Sequence, residues 1–215
     1  MAASRSGPQQ VTSDPHDGNG AQRATLLFQV IRYSHVFASA VHEVLDQRLL
    51  REVCPYPLSI TQFHLLRLLA KNGLHQVGEA AGFLGVSAPA ATKNIDKLEA
   101  LGLLVRRPSR EDRRAMLLSV SRRGRRLVRA FESLAMRRVT EVCESTSDDE
   151  LRQLARLLER MSISLFQCAK PDEGFCLRCA AYIEDSCPIR HAVGGCTYQE
   201  LRETRVRAGG ARPPR

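Results

Sequence analysis

The stretch 77–124, VGEAAGFLGVSAPAATKNIDKLEALGLLVRRPSREDRRAMLLSVSRRG, decides the fold of this 215-residue chain. A short helix is expected over 78–83, where the small residues would allow close contact between helices. Gly85 suits the left-handed conformation that follows a helix. A second helix over 87–101 leads into two apolar segments, 103–105 and 116–120, joined by a charged loop. This order predicts a winged helix-turn-helix, mainly α-helical with a small β-hairpin wing.

The second helix has one apolar and one polar face. Ser87 is expected to cap it through its hydroxyl, and Pro89 fits the first turn, where no hydrogen bond is lost. Val86 is expected to fill the angle between the two helices. Helical spacing predicts a buried face made of Ala91, Ile95 and Leu98. The N-terminal end and the opposite face, which enter the major groove in helix-turn-helix proteins, carry Ser87, Pro89, Thr92, Lys93, Asp96 and Lys97.

The positive charge of the chain is concentrated around the hairpin. Nine arginines lie between Leu101 and Arg126 against Glu111 and Asp112, a net charge of +7, while the whole chain carries +9. A strongly basic chain favours an anionic partner, either nucleic acid or a membrane surface. Because a solvated charged face usually mixes both signs, clustering of one sign beside the hairpin favours phosphate binding.

Helices are expected to flank this unit within one domain over 22–167. The polar arm 1–21 lacks hydrophobic periodicity and is expected to be disordered. Apolar residues at helical spacing predict a helix over 22–50, which the prolines after Cys54 would end. A brief strand is expected at 75–77. Further helices, each preceded by a serine or threonine cap, are expected over three segments: 59–72, 121–145 and 147–167.

Four groups of residues occur in an order that is specific to one family. They are the run 58–63 (LSITQF), the helix from Ser87 to Gly102, Asp112-Arg113-Arg114, and 118–121 (LSVS) followed by Gly124. The segment 60–125 thereby resembles the MarR family of winged-helix transcription regulators. The resemblance spans about 22–167 in architecture and covers neither the first 21 residues nor anything after about Cys168.

The resemblance implies a homodimeric regulator, not an enzyme, that binds near-palindromic operators in double-stranded DNA, most often as a repressor. The first helix and the last two would form the dimer interface. Asp112 is expected to brace the wing arginines, since phosphate repels a carboxylate. A pocket for a small-molecule effector between the dimer helices and the winged helix is the alternative mode of control. The implied DNA contacts are Ser87, Pro89, Thr92, Lys93, Lys97, Arg107, Arg110, Arg113 and Arg114.

The segment 168–203 departs from the family pattern and is rich in cysteine, and 204–215 is expected to be a flexible basic tail. A C-x2-C pair lets two thiolates converge on one metal ion. The spacing is compatible with Zn²⁺ or with an iron–sulfur cluster, and Cys168 or His191 could add a ligand. Reduced thiols and a redox switch are the alternatives. The expected ligands are Cys176, Cys179, Cys187 and Cys196.

Nothing in the sequence indicates a membrane partner or an enzyme. No apolar run approaches the roughly 20 residues that span a bilayer, and the first 20 residues lack the apolar core of a signal peptide. A cytoplasmic location is therefore expected, where thiols stay reduced. A redox enzyme is disfavoured because no nucleotide-binding loop, catalytic triad or flavin motif accompanies the cysteines.

Overall fold

The computed structural model describes residues 17–73, 75–109, 116–168 and 187. Eleven elements follow one another in these residues. They are α1 (Asp17–Ala40), a π-helix (Val41–Arg48), α2 (Leu49–Val53), α3 (Ile60–Asn72), β1 (His75–Gln76), α4 (Val77–Leu84), α5 (Ala88–Ala100), β2 (Leu104–Pro108), β3 (Met116–Val120), α6 (Arg122–Val142) and α7 (Asp148–Cys168). The chain divides into two units, one ending at Val44 and the other starting at Leu45.

The first unit is helical throughout its described part. Helix α1 begins at Asp17, so the expected start at Gln22 was five residues late and 17–21 are not a disordered arm. Glycine costs a helix only about 1 kcal/mol per residue, so a helix that has nucleated can extend through Gly18 and Gly20. The expected disorder of 1–16 lies outside the described residues. Eight large apolar side chains of α1 are exposed: Leu26, Leu27, Phe28, Val30, Ile31, Tyr33, Val36 and Phe37.

The predicted helix over 22–50 changes type before it ends. Residues 41–48 form a π-helix and 49–53 return to α-helix. Residues 41–48 contain neither glycine nor proline, and apolar periodicity does not distinguish a π-helix from an α-helix. The sequence therefore carries no signal for this change of helix type. Helix α2 ends at Val53, three residues beyond the expected end and before Pro55, because proline cannot continue a helix.

The core of the second unit is built on α3. Its N-terminus is a capping box, in which the Gln62 N–H donates to Ser59 Oγ (3.2 Å) and the Ser59 N–H donates to Gln62 Oε1 (3.1 Å). This confirms Ser59, one of the two expected caps. Gly73 ends the helix at φ 84°. The buried face of α3 is made of Phe63, Leu65, Leu66, Leu68 and Leu69.

The three strands form an antiparallel sheet in the order β1-β3-β2. His75 pairs with Leu118 on one side of β3, which confirms the brief strand, and Leu104 pairs with Val120 on the other. Strand β2 runs to Pro108, so the wing tip is shorter than the expected 106–115. Pro108 is tolerated because β2 is an edge strand, where a missing N–H costs no ladder bond.

Helix α4 is packed through its alanines, and its glycines lie on the surface. Ala80 and Ala81 are buried. Gly78 and Gly82 are exposed, and a Cβ built on either would meet nothing within 4 Å. The expectation that the small residues as a group serve close helix contact was therefore wrong for the two glycines. Glycine loses more conformational entropy on folding than other residues, so Gly78 and Gly82 lower the stability of the helix without a gain in packing.

Helix α6 starts in close contact with the base of the wing. The Ser121 hydroxyl accepts from the Gly124 N–H (3.0 Å), which confirms Ser121 as the cap, and donates to the Gly102 carbonyl (2.7 Å). Gly124 is buried, and a Cβ there would overlap the Leu103 carbonyl oxygen and lie 2.7 Å from Val120 Cγ2. Only glycine permits this approach of α6 to Leu103, just after α5, which is the predicted recognition helix.

Helix α7 begins with the capping box predicted by its sequence. The Ser147 N–H donates to Glu150 Oε2 (2.9 Å), and the Glu150 N–H donates to Ser147 Oγ (3.3 Å). The Ser147 hydroxyl also donates to Glu150 Oε2 (2.7 Å), and this bond, together with the one from the Ser147 N–H, holds the pKa of Glu150 below its usual value. None of the residues of α7 is buried, and a run of apolar side chains is exposed: Leu154, Leu157, Leu158, Met161 and Leu165.

No described helix combines the length and apolar character needed to cross a membrane.

Candidate nucleic-acid interface

Helices α4 and α5 form the helix-turn-helix around Gly85. Gly85 lies in the left-handed region (φ 62°, ψ 37°), as predicted, and turns the chain from α4 into α5. On α5, Ala91, Ile95 and Leu98 are fully buried. The predicted inward face is therefore confirmed, and its burial fixes which face of α5 points outward.

The N-terminus of α5 differs from expectation at two residues. Ser87 occupies the cap position and its carbonyl accepts from the Ala91 N–H (2.9 Å), but its side chain makes no capping hydrogen bond. The predicted hydroxyl cap was therefore wrong, and the hydroxyl stays available to an external acceptor or donor. Val86 is 38% exposed, so it does not fill the angle between the helices. Phe83 and Leu84, the last two residues of α4, are buried instead.

The outward face of α5 presents the predicted polar residues. Pro89, Thr92, Lys93 and Lys97 are all exposed. The Thr92 hydroxyl donates to the Ala88 carbonyl (2.9 Å), which leaves its oxygen able to accept from another group. Lys93 and Lys97 lie one turn apart and form no ion pair with any described residue. Both side chains are therefore exposed, with no acidic partner in the part of the chain that the structure describes.

Two acidic residues of the same helix share one cation from the wing. Arg106 of β2 forms ion pairs with Asp96 and, at 3.4 Å, with Glu99. Arg106 is mostly buried (side chain 23% exposed). The sequence predicts Arg106 in the charged tip of the wing and Asp96 on the outer face of α5, without an ion pair between them. The only signal for the pairing is that Asp96 and Glu99 are three residues apart and so share one side of a helix.

A polar contact also ties α5 to α3. Gln62 Nε2 donates to Asn94 Oδ1 (3.0 Å), and Asn94 Nδ2 donates to the Ala90 carbonyl (3.0 Å). Gln62 is buried, and its Oε1 accepts from the Ser59 N–H in the α3 capping box. A buried amide strongly prefers to keep such partners. This contact joins α5 to α3 in addition to the buried apolar face, and the sequence contains no local pattern that predicts it.

The wing is described only at its base. Arg107 lies in β2, where it pairs with Leu117 and is exposed, so it is available to an external anion. The predicted contacts Arg110, Arg113 and Arg114 lie outside the described residues, as does the bracing residue Asp112. Those four assignments stay predictions.

The cysteines are only partly covered by the structure. Of the four predicted ligands, Cys187 is described as a half-buried free thiol, while Cys176, Cys179 and Cys196 lie outside the described residues. Within the described ranges, no three His, Cys, Asp or Glu side chains come together as a metal site. Cys54 is buried beside the Tyr56 carbonyl (3.6 Å), and its burial raises the pKa of its thiol. That environment suits a core residue rather than a reactive one.

Comparison with known proteins supports the fold. Residues 56–115 match the family model described as MarR family. A MarR family protein from Bacillus stearothermophilus and RV1404 from Mycobacterium tuberculosis are both similar in structure, each with a TM-score of 0.53 and 24% identity over 67% of this chain and 96% of theirs. The YusO protein from Bacillus subtilis has a TM-score of 0.51 and 21% identity over 62% of this chain and 95% of its own.

At these identities the likeness to the solved structures establishes the fold, and the family match covers the segment from Tyr56 to the wing. The segment 56–115 is therefore similar in sequence to the MarR family, and the chain shares the winged helix-turn-helix fold of the solved structures.

Proposed function

We propose that the chain is a transcription regulator that binds near-palindromic operators in double-stranded DNA as a homodimer and acts as a repressor. The observation that carries the proposal is the outward face of α5. It presents Lys93 and Lys97 without neutralising partners among the described residues, beside a Ser87 hydroxyl that is not used for capping. These are groups that can reach base edges or phosphates in a major groove.

The ion pairs of Asp96 and Glu99 support the same assignment. A carboxylate near a DNA groove is repelled by phosphate, and Arg106, which pairs with both acids, offsets one of their two negative charges. Arg107, which is exposed in β2 at the base of the wing, adds a further cation that an external anion can reach. Arg106 is thus a positioning residue that links the wing to the recognition helix.

The exposed apolar surface favours a dimer. The apolar residues of α1 and of α7 are exposed in the single chain. Large exposed apolar patches mark interaction sites, and a two-fold dimer is the commonest way to cover them. A dimer would place two copies of α5 about 34 Å apart, the spacing of successive major grooves on one side of B-DNA.

The proposal is tested by selecting DNA from a random-sequence duplex library with the purified full chain. We expect enrichment of a motif with two inverted half-sites separated by about one helical turn. Analytical ultracentrifugation of the selected complex should give two chains per duplex. Recovery of no enriched motif, together with equal affinity for all duplexes, would refute sequence-specific binding.

Arg106 provides a prediction with an internal rescue. Arg106→Gln is expected to lower the affinity for the selected duplex roughly tenfold, because two uncompensated carboxylates then face the phosphates. Adding Asp96→Asn and Glu99→Gln should restore most of the affinity, and fluorescence anisotropy titrations measure both changes. The exposed part of this ion pair limits its share in folding stability to under about 1 kcal/mol. Failure of the triple variant to recover would mean that Arg106 itself contacts DNA or supports the wing.

We further propose that the cysteine segment binds a metal through Cys176, Cys179, Cys187 and Cys196, as an iron–sulfur cluster or Zn²⁺, and that this modulates DNA binding. The supporting observations are the C-x2-C pair and the separate free thiol at Cys187. Loss of the metal, or oxidation of the cluster or of the ligating thiolates, would act through α7, the helix that ends at Cys168, and alter the spacing of the two recognition helices.

Metal content is therefore expected in protein purified without oxygen. Iron and sulfide with a brown colour indicate a cluster, and one equivalent of colourless zinc indicates a tetrahedral thiolate site. Chelation or oxidation is expected to weaken binding to the selected duplex at least tenfold. If binding is unchanged, the segment is structural, and a small-molecule effector becomes the better explanation of control. Thermal-shift screening with aromatic and phenolic compounds would then identify it.

A further inference from the structure

Helix α6 opens with a dense group of arginines. Arg122, Arg123, Arg125, Arg126 and Arg129 fall within its first eight residues, and no acidic residue precedes Glu132. All five are exposed. They follow the wing directly in the chain and are not part of either the recognition helix or the wing.

Two of the five arginines are engaged by the protein itself. The Arg123 guanidinium lies over the Tyr56 ring, 4.5 Å from its centroid. Arg125 donates to the Val120 carbonyl at 3.3 Å. Both contacts hold the start of α6 against the wing and the segment after α2, so these two side chains have a structural role.

The other three form what we call the arginine stripe: Arg122, Arg126 and Arg129. They are four and three residues apart, so they share one face of α6. That face is opposite the side of the helix that is buried in the core, which contains Leu127, Val128 and Phe131. None of the three forms an ion pair or hydrogen bond with a described residue. The stripe is therefore a row of solvated guanidinium groups.

The stripe is electrostatically unfavourable in the isolated chain. Cations near a helix N-terminus oppose the helix dipole, whereas anions there are stabilising. Helix α7 follows the favourable rule with Asp148, Asp149 and Glu150 in its first turn, and α6 has no acid in its first turn. An external polyanion bound along the stripe would offset this repulsion.

The stripe begins where the DNA-facing elements end. The hydrogen bond of 2.7 Å from Ser121 Oγ to the Gly102 carbonyl joins the start of α6 to the end of the recognition helix. From Arg122 to Arg129 the helix rises about 10 Å, which matches about three base pairs of a DNA backbone at 3.4 Å each. The stripe thus begins beside the C-terminal end of α5 and the base of the wing, and it has the length of a short run of phosphates.

We propose that the arginine stripe binds the phosphate backbone of double-stranded DNA outside the base pairs that α5 reads. This inference rests on the proposed function, and it adds a third contact surface that extends the footprint beyond the recognition helix and the wing. The guanidinium groups would contribute affinity without sequence preference, because phosphates are the same in every sequence.

The test uses the full chain and the selected operator in two lengths, a duplex of about 20 base pairs and one of about 40 with flanking sequence. The variant Arg126→Gln/Arg129→Gln is compared with the wild type at several salt concentrations. Arg137→Gln/Arg160→Gln is the matched control, since it removes the same charge from exposed arginines, one of them about 12 Å beyond Arg129 along α6. Circular dichroism melting checks that both variants remain folded.

On the long duplex, the stripe variant should bind 10- to 100-fold more weakly than the wild type at about 0.1 M salt. Its plot of log affinity against log salt should be shallower by up to about 3.6, since four arginines are lost per dimer and each phosphate contact contributes about 0.9. The control should match the wild type. The short duplex should show little difference among the three proteins.

Three results would overturn the inference. Equal salt slopes on the long duplex would remove phosphate contact and leave an acidic protein partner as the occupant. Equal losses on both duplexes would place the contact inside the operator core. An equal loss in the control would reduce the effect to net charge. If the wild type selects no sequence, the proposed function fails, and the same slopes measured on a mixed-sequence 40-base-pair duplex still test the stripe.

Discussion

Replacement of Gly124 with alanine is expected to lower the free energy of unfolding by about 2–3 kcal/mol, the usual cost of forcing an extra group into a packed site. The added Cβ would overlap the Leu103 carbonyl oxygen and press on Val120 Cγ2. Both neighbours are held in place, because Leu103 is fully buried and Val120 lies in the central strand of the sheet. The helix would have to move away from the wing, which would also strain the Ser121 cap.

The matched control is Gly82→Ala in α4. Gly82 is helical and exposed, and its Cβ would meet nothing within 4 Å. Alanine there should stabilise the chain by about 0.4–1 kcal/mol, since it restricts the unfolded chain and favours the helix. Urea unfolding followed by circular dichroism measures both values. A Gly124→Ala variant as stable as Gly82→Ala would show that α6 can shift at no cost.

The same substitution separates packing from DNA contact. Gly124 carries no side chain that could touch DNA, so any loss of operator affinity must come from a displaced wing or recognition helix. We expect the melting temperature to fall by about 5–10 °C, given about 2–4 °C per kcal/mol for a chain of this size. At temperatures well below the melting temperature, where the variant is folded, we expect weaker operator binding because α6 has moved away from the wing.

The features that the sequence predicted correctly depend on residues close together in the chain. The Ser59 cap, the Ser147 capping box, the left-handed Gly85 and the buried side of α5 each follow from a pattern within about eight residues. Backbone hydrogen bonding and helical periodicity decide such features locally. The wing strands were likewise visible as two apolar segments around a basic loop.

The features that it missed depend on contacts between distant segments. The pairing of Arg106 with Asp96 spans ten residues, and the contact between Gln62 and Asn94 spans thirty-two. Which surface residues pair is set by the tertiary packing of α3, α5 and β2, for which one sequence carries no local signal. The unused Ser87 hydroxyl has the same origin, because a residue at a cap position favours a capping bond but does not require one.

The difference matters most for the site, since charge that appears exposed in the sequence is partly neutralised in the fold. Counting charges assigns Arg106 to the DNA-binding cluster and Asp96 to the solvent-facing side of α5. In the structure these two residues form an ion pair, and Lys93 and Lys97, the two cations of α5, form none with any described residue. The DNA contacts predicted on α5 stay predictions.

The double substitution Lys93→Gln/Lys97→Gln is expected to lower affinity for the selected operator at least 100-fold. Each side chain that reads a base edge is worth about 1–3 kcal/mol, and a dimer loses two copies of each. Both lysines are exposed and outside the core, so the melting temperature should stay within about 2 °C of the wild type, as is usual for surface changes of under 0.5 kcal/mol. Anisotropy titrations on operator and scrambled duplexes measure the loss.

Arg107→Gln is the comparison that separates base reading from phosphate binding. Arg107 lies in the wing strand β2, so its loss should weaken operator and scrambled duplexes by the same factor and make the salt slope shallower by about 1 to 2 per dimer. The lysine variant should instead lose more affinity for the operator than for the scrambled duplex, because base contacts exist only on the correct sequence. If the lysine variant loses the same affinity for the operator as for the scrambled duplex, Lys93 and Lys97 bind phosphates. Specificity must then come from Ser87 and Thr92 or from the shape of the DNA. If it loses neither, α5 does not enter the groove with its outward face.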